Sequence, residues 1–296
     1  MSLMQEMNER AAELGVPMGV HLDITYRCNE RCVHCYLDHD DHGEMTTAEI
    51  KDVLDQLAEA GTFFLTLSGG EVLMRRDFFE ILEHARRLLF NVRVKTNGVM
   101  IRTQEAQRLR ELGVTYTLDP TITPKMDGDT SVLRLRIPGS ELNAVFHNKD
   151  LVGNVEEFCA PPPPPGEDVM EGYPCSAGHT AAYITPYGDV FPCVQFPLPS
   201  GNVRRQKFMD IWRDSPELNE VRSIRAKDLP VCSTCNHVGT CTRCPGLAYM
   251  EGSMRGPSTA DCEKSFHRTG ILTANMLRKA RSNAPGPLVQ IRLLAV

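Results

Sequence analysis

The sequence is short of features that mark three large functional classes. It has no basic surplus: 32 Lys and Arg stand against 38 Asp and Glu, a formal charge of −6, with no long Lys/Arg run. That leaves no electrostatic footprint for nucleic acid or an anionic lipid surface, and neither is expected as a partner. No stretch of about 18 apolar residues is present, so no membrane-spanning helix is expected. Residues Met1 to Arg10 have neither a basic start nor an apolar core, which argues against a secretory signal and for a cytoplasmic protein. Disulfides have little rationale in that compartment, so the eleven cysteines point to metal or redox chemistry.

The chain does have material for a core. Its 296 residues, 42% hydrophobic, suffice for one large domain or two modest ones. Met4, Met7, Ala11 and Leu14 recur at helical spacing and predict a lead-in helix flanking or plugging the main domain. Val20, Leu22, Ile24 and Tyr26 alternate with His21, Asp23 and Thr25, the period-two pattern of a strand. Thr46 and Glu49 form a capping box for a helix whose apolar face is Ile50, Val53, Leu54 and Leu57, ending at Gly61. A strand at 62–67, a helix at about 77–89, a strand at 92–96 and a helix at 104–112 follow with short links. Such alternation predicts a parallel sheet of βαβ units.

Chemistry enters with three thiols in eight residues. Cys28, Cys32 and Cys35 are spaced C-x3-C-x2-C on a loop directly after the first strand. A cubane [4Fe–4S] cluster takes four thiolates, so this loop would leave one iron open for a ligand. Zinc usually draws four ligands from two separated pairs, and a disulfide needs an oxidising compartment; both fit less well. After the second strand comes Ser68-Gly69-Gly70-Glu71, where glycines would let backbone approach a ligand closely. Asn97-Gly98 closes the third strand and reads otherwise as an ordinary turn.

Taken together, these segments resemble the radical S-adenosylmethionine (SAM) superfamily, whose C-x3-C-x-aromatic-C motif has His34 at the aromatic position here. The resemblance implies that SAM chelates the open iron and is cleaved to methionine and a 5′-deoxyadenosyl radical. It places His34, Tyr36, Gly69, Gly70, Glu71 and Asn97 around the cofactor, with Glu71 accepting from the SAM ammonium. Val72 stands where relatives have proline. Relatives also carry six βα units, whereas here Val114 to Pro120 leads straight into Thr121 to Asp129, which resembles the exit from the last barrel strand. On the order of 60–80 residues, two units of ~30 or more each, are therefore missing, and with them the usual ribose and adenine contacts. A bare sheet edge should result.

Arg134 to Ile137 lead into irregular sequence and then Pro161 to Pro165, a stiff polyproline II spacer or a ligand for a proline-reading module. Ala181 to Thr185 and Asp189 to Phe191 flank Pro186-Tyr187-Gly188, a predicted hairpin. The remaining cysteines run Cys175, Cys193, Cys232-x2-Cys235-x5-Cys241, Cys244 and Cys262. Zinc ribbons share C-x2-C pairs, but the five-residue gap here is shorter than their usual ~12–20. The order resembles the SPASM extension of radical SAM enzymes, apart from two residues instead of three between Cys241 and Cys244. By that resemblance Cys232, Cys235, Cys241 and Cys262 hold an outer auxiliary cluster. Cys175, Cys193 and Cys244 hold an inner one, with Cys159 as a candidate fourth ligand.

The expected architecture is α/β: a lead-in helix (1–17), a shortened radical SAM βα barrel (18–140), an irregular proline-rich linker (141–170), a cysteine-rich SPASM domain (171–282) and a tail (283–296). Its cofactors would be SAM and three [4Fe–4S] clusters, one binding SAM and two auxiliary, with an electron donor such as flavodoxin or ferredoxin as partner. Relatives with this extension mostly modify ribosomally made peptides by oxidation, crosslinking or epimerisation, which makes a peptide the first candidate substrate. The alternatives are radical oxidation of a small molecule such as a tetrapyrrole side chain, and a metal-binding module that has lost SAM chemistry.

Overall fold

The computed structural model describes residues 3–33, 35–37, 39, 42–117, 131 and 139–282. His34, the segment from Leu118 to Asp129, Arg134 to Ile137 and the tail 283–296 lie outside the described residues. Among those described, no helix is long and apolar enough to cross a membrane. The chain divides into two compact units, Met1–Arg136 with Ser176–Ser223, and Ile137–Cys175 with Ile224–Val296.

The first unit is built on one sheet of seven strands: β1 (Gly19–Thr25), β2 (Phe64–Gly69), β3 (Asn91–Lys95), β4 (Thr115–Thr117), β5 (Ala181–Ile184), β6 (Asp189–Phe191) and β7 (Gly201–Asn202). Their order is β4-β3-β2-β1-β5-β6-β7, parallel from β4 through β5 and antiparallel in the two remaining pairs. Helices Thr47–Glu59, Phe78–Arg87 and Thr103–Glu111 follow β1, β2 and β3, as the alternation predicts. The hairpin β5–β6 departs from expectation. Grouped by sequence with the C-terminal domain, it extends the N-terminal sheet, with Gly19, Val20, His21 and Leu22 in register with Ala181, Ala182, Tyr183 and Ile184. β1 is thereby an interior strand, flanked by β2 and β5.

Alternation along β1 sorts its two faces. Val20, Leu22 and Ile24 join Leu65, Leu67, Val92, Val94 and Ile184 in a core completed by the buried faces of the helices. Within it the expected capping box forms: Glu49 N donates to Thr46 Oγ1 at 3.3 Å, and Thr46 N to Glu49 Oε2 at 2.7 Å. The helix Phe208–Asp214 adds Phe208, Ile211 and Trp212 to the same core, the packing role read from sequence. The lead-in helix Leu3–Leu14 flanks the unit instead of plugging it: only Ala11 of its predicted apolar face is buried, and Trp212 Nε1 donates to Gly15 O at 2.7 Å just past its end.

In the second unit the linker expected to be irregular is largely helical. Short helices Gly139–Phe146, Lys149–Val152, Val155–Phe158 and Glu167–Glu171 surround the prolines. Asn148 and Asn154 start two of them by accepting from the backbone N–H of Asp150 and Glu157. The first helix packs on Thr259–Thr269. Pro161–Pro165 has no regular structure, as a polyproline spacer should not.

A buried staple locks the first two βα units. Arg75 donates from Nη1 to Ile24 O at 2.8 Å and Met45 O at 3.0 Å, and from Nε and Nη2 to the carboxylate of Asp77. Thr47 Oγ1 also donates to that carboxylate at 2.6 Å. Burial pushes the Asp77 carboxyl up, but Arg75 and Thr47 outweigh it and hold it at about 2. A depressed carboxyl stabilises the fold fully above its unfolded value, ordinarily 3.8, and loses that contribution as pH falls towards 2. Asp77→Asn is therefore expected to lower stability by roughly 1–3 kcal/mol at pH 6, with the difference from wild type shrinking by pH 3. Paired urea denaturation curves at the two pH values check this.

Candidate active site

Three loops leave the C-terminal ends of β1, β2 and β3 and meet. The end of β1 and the glycine pair approach so closely that neither glycine has room for a side chain. A Cβ on Gly69, at φ +134°, would lie 2.0 Å from Thr25 O, and one on Gly70 would lie 2.3 Å from Arg27 O. Gly70 N donates to Thr25 O at 2.8 Å and Glu71 N to Arg27 O at 2.9 Å, setting the glycines beside the residue that precedes Cys28. Asn97 reaches over from the β3 loop: its Nδ2 donates to Asn29 Oδ1 at 2.8 Å and lies 3.7 Å from Cys28 Sγ.

Glu71 has a different place from the one expected. It has no exposed surface, and its carboxylate accepts from Thr96 Oγ1 at 2.9 Å, Asn97 N at 2.8 Å and Leu73 N at 3.0 Å. A carboxylate so enclosed ties the β2 loop to the β3 loop.

In the cysteine loop, Cys35 N donates to Cys32 O at 3.0 Å, closing a tight turn, and Arg31 Nη1 donates to the carbonyls of Cys28 and Glu30. Cys32 is exposed and the other two thiols are half-buried. Burial pushes the Cys35 thiol up, and Cys28 and Cys32 push it the same way, while the Leu37 N–H and the Arg31 guanidinium pull against them. A thiolate at Cys35, disfavoured by burial and by its two neighbours, is favoured by a cationic centre, which iron supplies. Three cysteines on one short, partly exposed loop fit a three-thiolate ligand set.

Beneath the loop lies a network that the sequence reading missed. Asp23 is fully buried on the polar face of β1, with His21 Nε2 at 3.0 Å, Tyr183 Oη donating at 2.8 Å and Tyr36 Oη at 3.5 Å. The Tyr26 and Tyr183 hydroxyls lie 2.8 Å apart. Burial and the Asp23 carboxylate hold the phenols of Tyr36 and Tyr183 well above their ordinary range. Tyr36, expected near the cofactor, is thus anchored to the strand below it. The signal available was Asp23 itself, a residue depleted from strands.

In the second unit, Cys232, Cys235, Cys241 and Cys262 all line one cavity of about 290 Å³. Among the described residues no three His, Cys, Asp or Glu converge on a single ion. The four cysteines share the lining of one cavity, and a cubane takes one thiolate per iron. Ala274 N and Ser265 Oγ lie 3.4 Å from the sulfurs of Cys235 and Cys241. Burial pushes Cys232 and Cys241 up and Cys262 to about 11, and neighbouring thiols add to each shift. Two buried nitrogens in residues lining this cavity, Arg243 Nη1 and His237 Nδ1, have no hydrogen-bond partner. Four thiols beside a guanidinium with one buried nitrogen lacking a partner fit an anionic cluster.

Cys193 lies past β6 in the first unit, and Cys175 and Cys244 lie in the second. Burial pushes Cys244 up, and Cys175 is among the groups reinforcing that shift. Cys159 points its thiol at Phe146 O, 3.6 Å away. All eleven cysteines are free thiols.

Comparison with known proteins agrees with this geometry. Residues 22–137 match the model of the radical SAM superfamily, and residues 175–236 that of the SPASM iron–sulfur cluster-binding domain. Mycofactocin maturase MftC of Mycobacterium tuberculosis is 24% identical over 350 positions, covering 91% of this chain and 89% of its own. Since 91% of 296 residues is about 269, some 80 of those positions face gaps in this chain. AdoMet-dependent heme synthase of Methanosarcina barkeri is 23% identical, covering 80% of this chain and 94% of its own. Among solved structures, Streptococcus suis SuiB bound to precursor peptide SuiA superposes with a TM-score of 0.65 at 16% identity, covering 88% of this chain and 80% of that one.

The close approach at the glycines can be tested directly. Gly69→Ala is expected to lower stability by at least about 2 kcal/mol through clash and strain. Gly19→Ala, whose Cβ would meet nothing nearer than 3.9 Å, should cost far less. Urea midpoints of the two variants measure the contrast.

Proposed function

Because the chain belongs to the radical SAM superfamily and carries its SPASM extension, we propose that it is a peptide maturase. In this reading it modifies a ribosomally made peptide by oxidation, crosslinking or epimerisation. The observation carrying the reading is the meeting of the Cys28–Cys35 loop, the Gly69–Gly70 backbone and Asn97 at the ends of three adjacent parallel strands. The peptide substrate is supported by the relatives: MftC, a maturase, aligns over most of both chains, and the superposed SuiB is bound to a precursor peptide.

When bound, the cluster and SAM supply the radical; the protein supplies position and shielding. Cys28, Cys32 and Cys35 would hold the cluster that binds SAM. The Gly69 and Gly70 backbone would lie against the methionine end of SAM, while Glu71 keeps the β3 loop in place and Asn97 sits beside Cys28. Cys232, Cys235, Cys241 and Cys262 would hold an outer auxiliary cluster, and Cys175, Cys193 and Cys244 are the candidate ligands of an inner one; the chemistry these clusters would supply is electron transfer. A low-potential carrier such as flavodoxin or ferredoxin would reduce the system. Oxidation of a tetrapyrrole side chain is the second reading, favoured by the alignment that takes in 94% of a heme synthase. Incubation with a short precursor peptide encoded beside this chain, against incubation with a porphyrin, separates the two.

Anaerobically reconstituted protein is expected to bind roughly twelve irons, four per cubane. Replacing Cys28, Cys32 and Cys35 with Ala should remove 5′-deoxyadenosine formation and about a third of the iron. Stoichiometric zinc without iron, or undiminished cleavage by the triple variant, would reject the assignment. SAM itself should bind weakly. Loss of two or three hydrogen bonds to the adenosine end, at ~0.5–1.5 kcal/mol each, lowers affinity by about one to three powers of ten. Equilibrium dialysis measures this, and micromolar or tighter binding would mean that other residues replace the missing contacts.

A further inference from the structure

Arg243 sits in the shortened two-residue link between Cys241 and Cys244, and its burial is hard to account for without the cavity it lines. Only 6% of it is exposed. Its Nε and Nη2 donate to Gly256 O at 3.0 and 2.6 Å, and Nη2 donates also to Met254 O. These are neutral carbonyls. Nη1 is buried with no hydrogen-bond partner, and among the described residues no carboxylate lies within ion-pair distance of the guanidinium. The nearby Asp261 is otherwise engaged, accepting from Cys244 N at 2.8 Å and pairing with Lys264 at 3.0 Å. A buried cation without a counter-charge is costly, so the anion must be what fills the cavity.

We propose that the Arg243 guanidinium is the buried counter-charge of the outer auxiliary cluster and raises that cluster's reduction potential. The inference rests on the reading that Cys232, Cys235, Cys241 and Cys262 hold a [4Fe–4S] cluster. Reduction adds one electron from a low-potential reductant such as dithionite, moves no proton, and increases the negative charge beside the guanidinium by one unit. A fixed cation in a dry site favours the reduced state, and electrostatics and hydrogen bonding at the sulfurs are established levers on such potentials. The link is also the place where this chain is one residue shorter than the usual spacing, which makes Arg243 a positioning residue peculiar to its outer site.

The test uses the full chain carrying Cys28→Ala, Cys32→Ala and Cys35→Ala, so that only auxiliary clusters titrate, followed by electron paramagnetic resonance during stepwise dithionite reduction. In Arg243→Met, one auxiliary midpoint should fall by about 59 mV or more, a tenfold loss in the one-electron equilibrium, while the other stays. Arg243→Lys, which keeps the charge and loses the fork, should recover most of the shift. Two unmoved midpoints in Arg243→Met, or a shift as large in Arg243→Lys, would overturn the proposal. If Arg243→Met loses about half of the auxiliary iron, recovery of that iron in Arg243→Lys supports a counter-charge. Failure of both to assemble means that Arg243 serves only to tie down Met254 and Gly256, and the proposal falls. A parent protein without iron would instead refute the functional reading beneath it.

Discussion

The carbonyl of Thr25, at the end of β1, receives Gly70 N–H at 2.8 Å while the Gly69 Cα passes directly over it. This contact sets the spacing between the first two βα loops, and the rest of the site depends on it. Any side chain at Gly69 or Gly70 would force the second loop away from Arg27, hence from Cys28. The third loop is then drawn in by hydrogen bonds: the buried Glu71 side chain accepts from Thr96 Oγ1 and Asn97 N, and the Asn97 amide faces Cys28 and Asn29. Backbone packing fixes one junction and a buried carboxylate the next. Both are rigid, as a site that must hold a reactive cofactor in one geometry requires.

The two thiol sites solve the same electrostatic problem with different means. Neighbouring cysteines disfavour one another's ionisation, and burial adds to that, so the thiolate state needs positive charge from outside the set. In the exposed N-terminal loop Arg31 is the nearby cation, and solvent is close. In the second unit the thiols line a cavity, and donors come from the surroundings: Ala274 N–H, Ser265 Oγ, and the buried guanidinium of Arg243.

The parts of this molecule that could be read from sequence were those governed by local rules. Period-two alternation placed β1, and the Thr46–Glu49 capping box placed the start of the following helix, because both patterns depend on near neighbours. The grouping of Cys232, Cys235, Cys241 and Cys262 rests on the family resemblance and not on a local rule, and the four residues line one cavity. What escaped depends on contacts distant in sequence. Tyr183 completes the Asp23 network from 160 residues away, and nothing near either residue announces the pairing. Glu71 was read as a ligand because its motif is known, whereas its burial follows from β3 packing beside it. The linker reads as irregular from its sequence, yet two asparagines before the prolines, Asn148 and Asn154, cap short helices.

The same distance effect explains how a chain that faces its maturase relative with gaps at some 80 aligned positions keeps the site's foundations. A parallel barrel ordinarily protects its first strand by pairing it with the last. Here that place at β1 is taken by β5, in the same parallel sense and in register over Gly19 to Leu22. β5 brings a hairpin partner of its own, so β1 gains a neighbour that is itself part of a sheet, and Tyr183 arrives on the correct face to meet His21 and Asp23. The strand that presents Cys28 is therefore buried on both faces and paired on both edges. The sheet's open edges are β4, paired with β3 alone, and β7, paired with β6 alone, so the strand that carries Cys28 presents no unpaired edge.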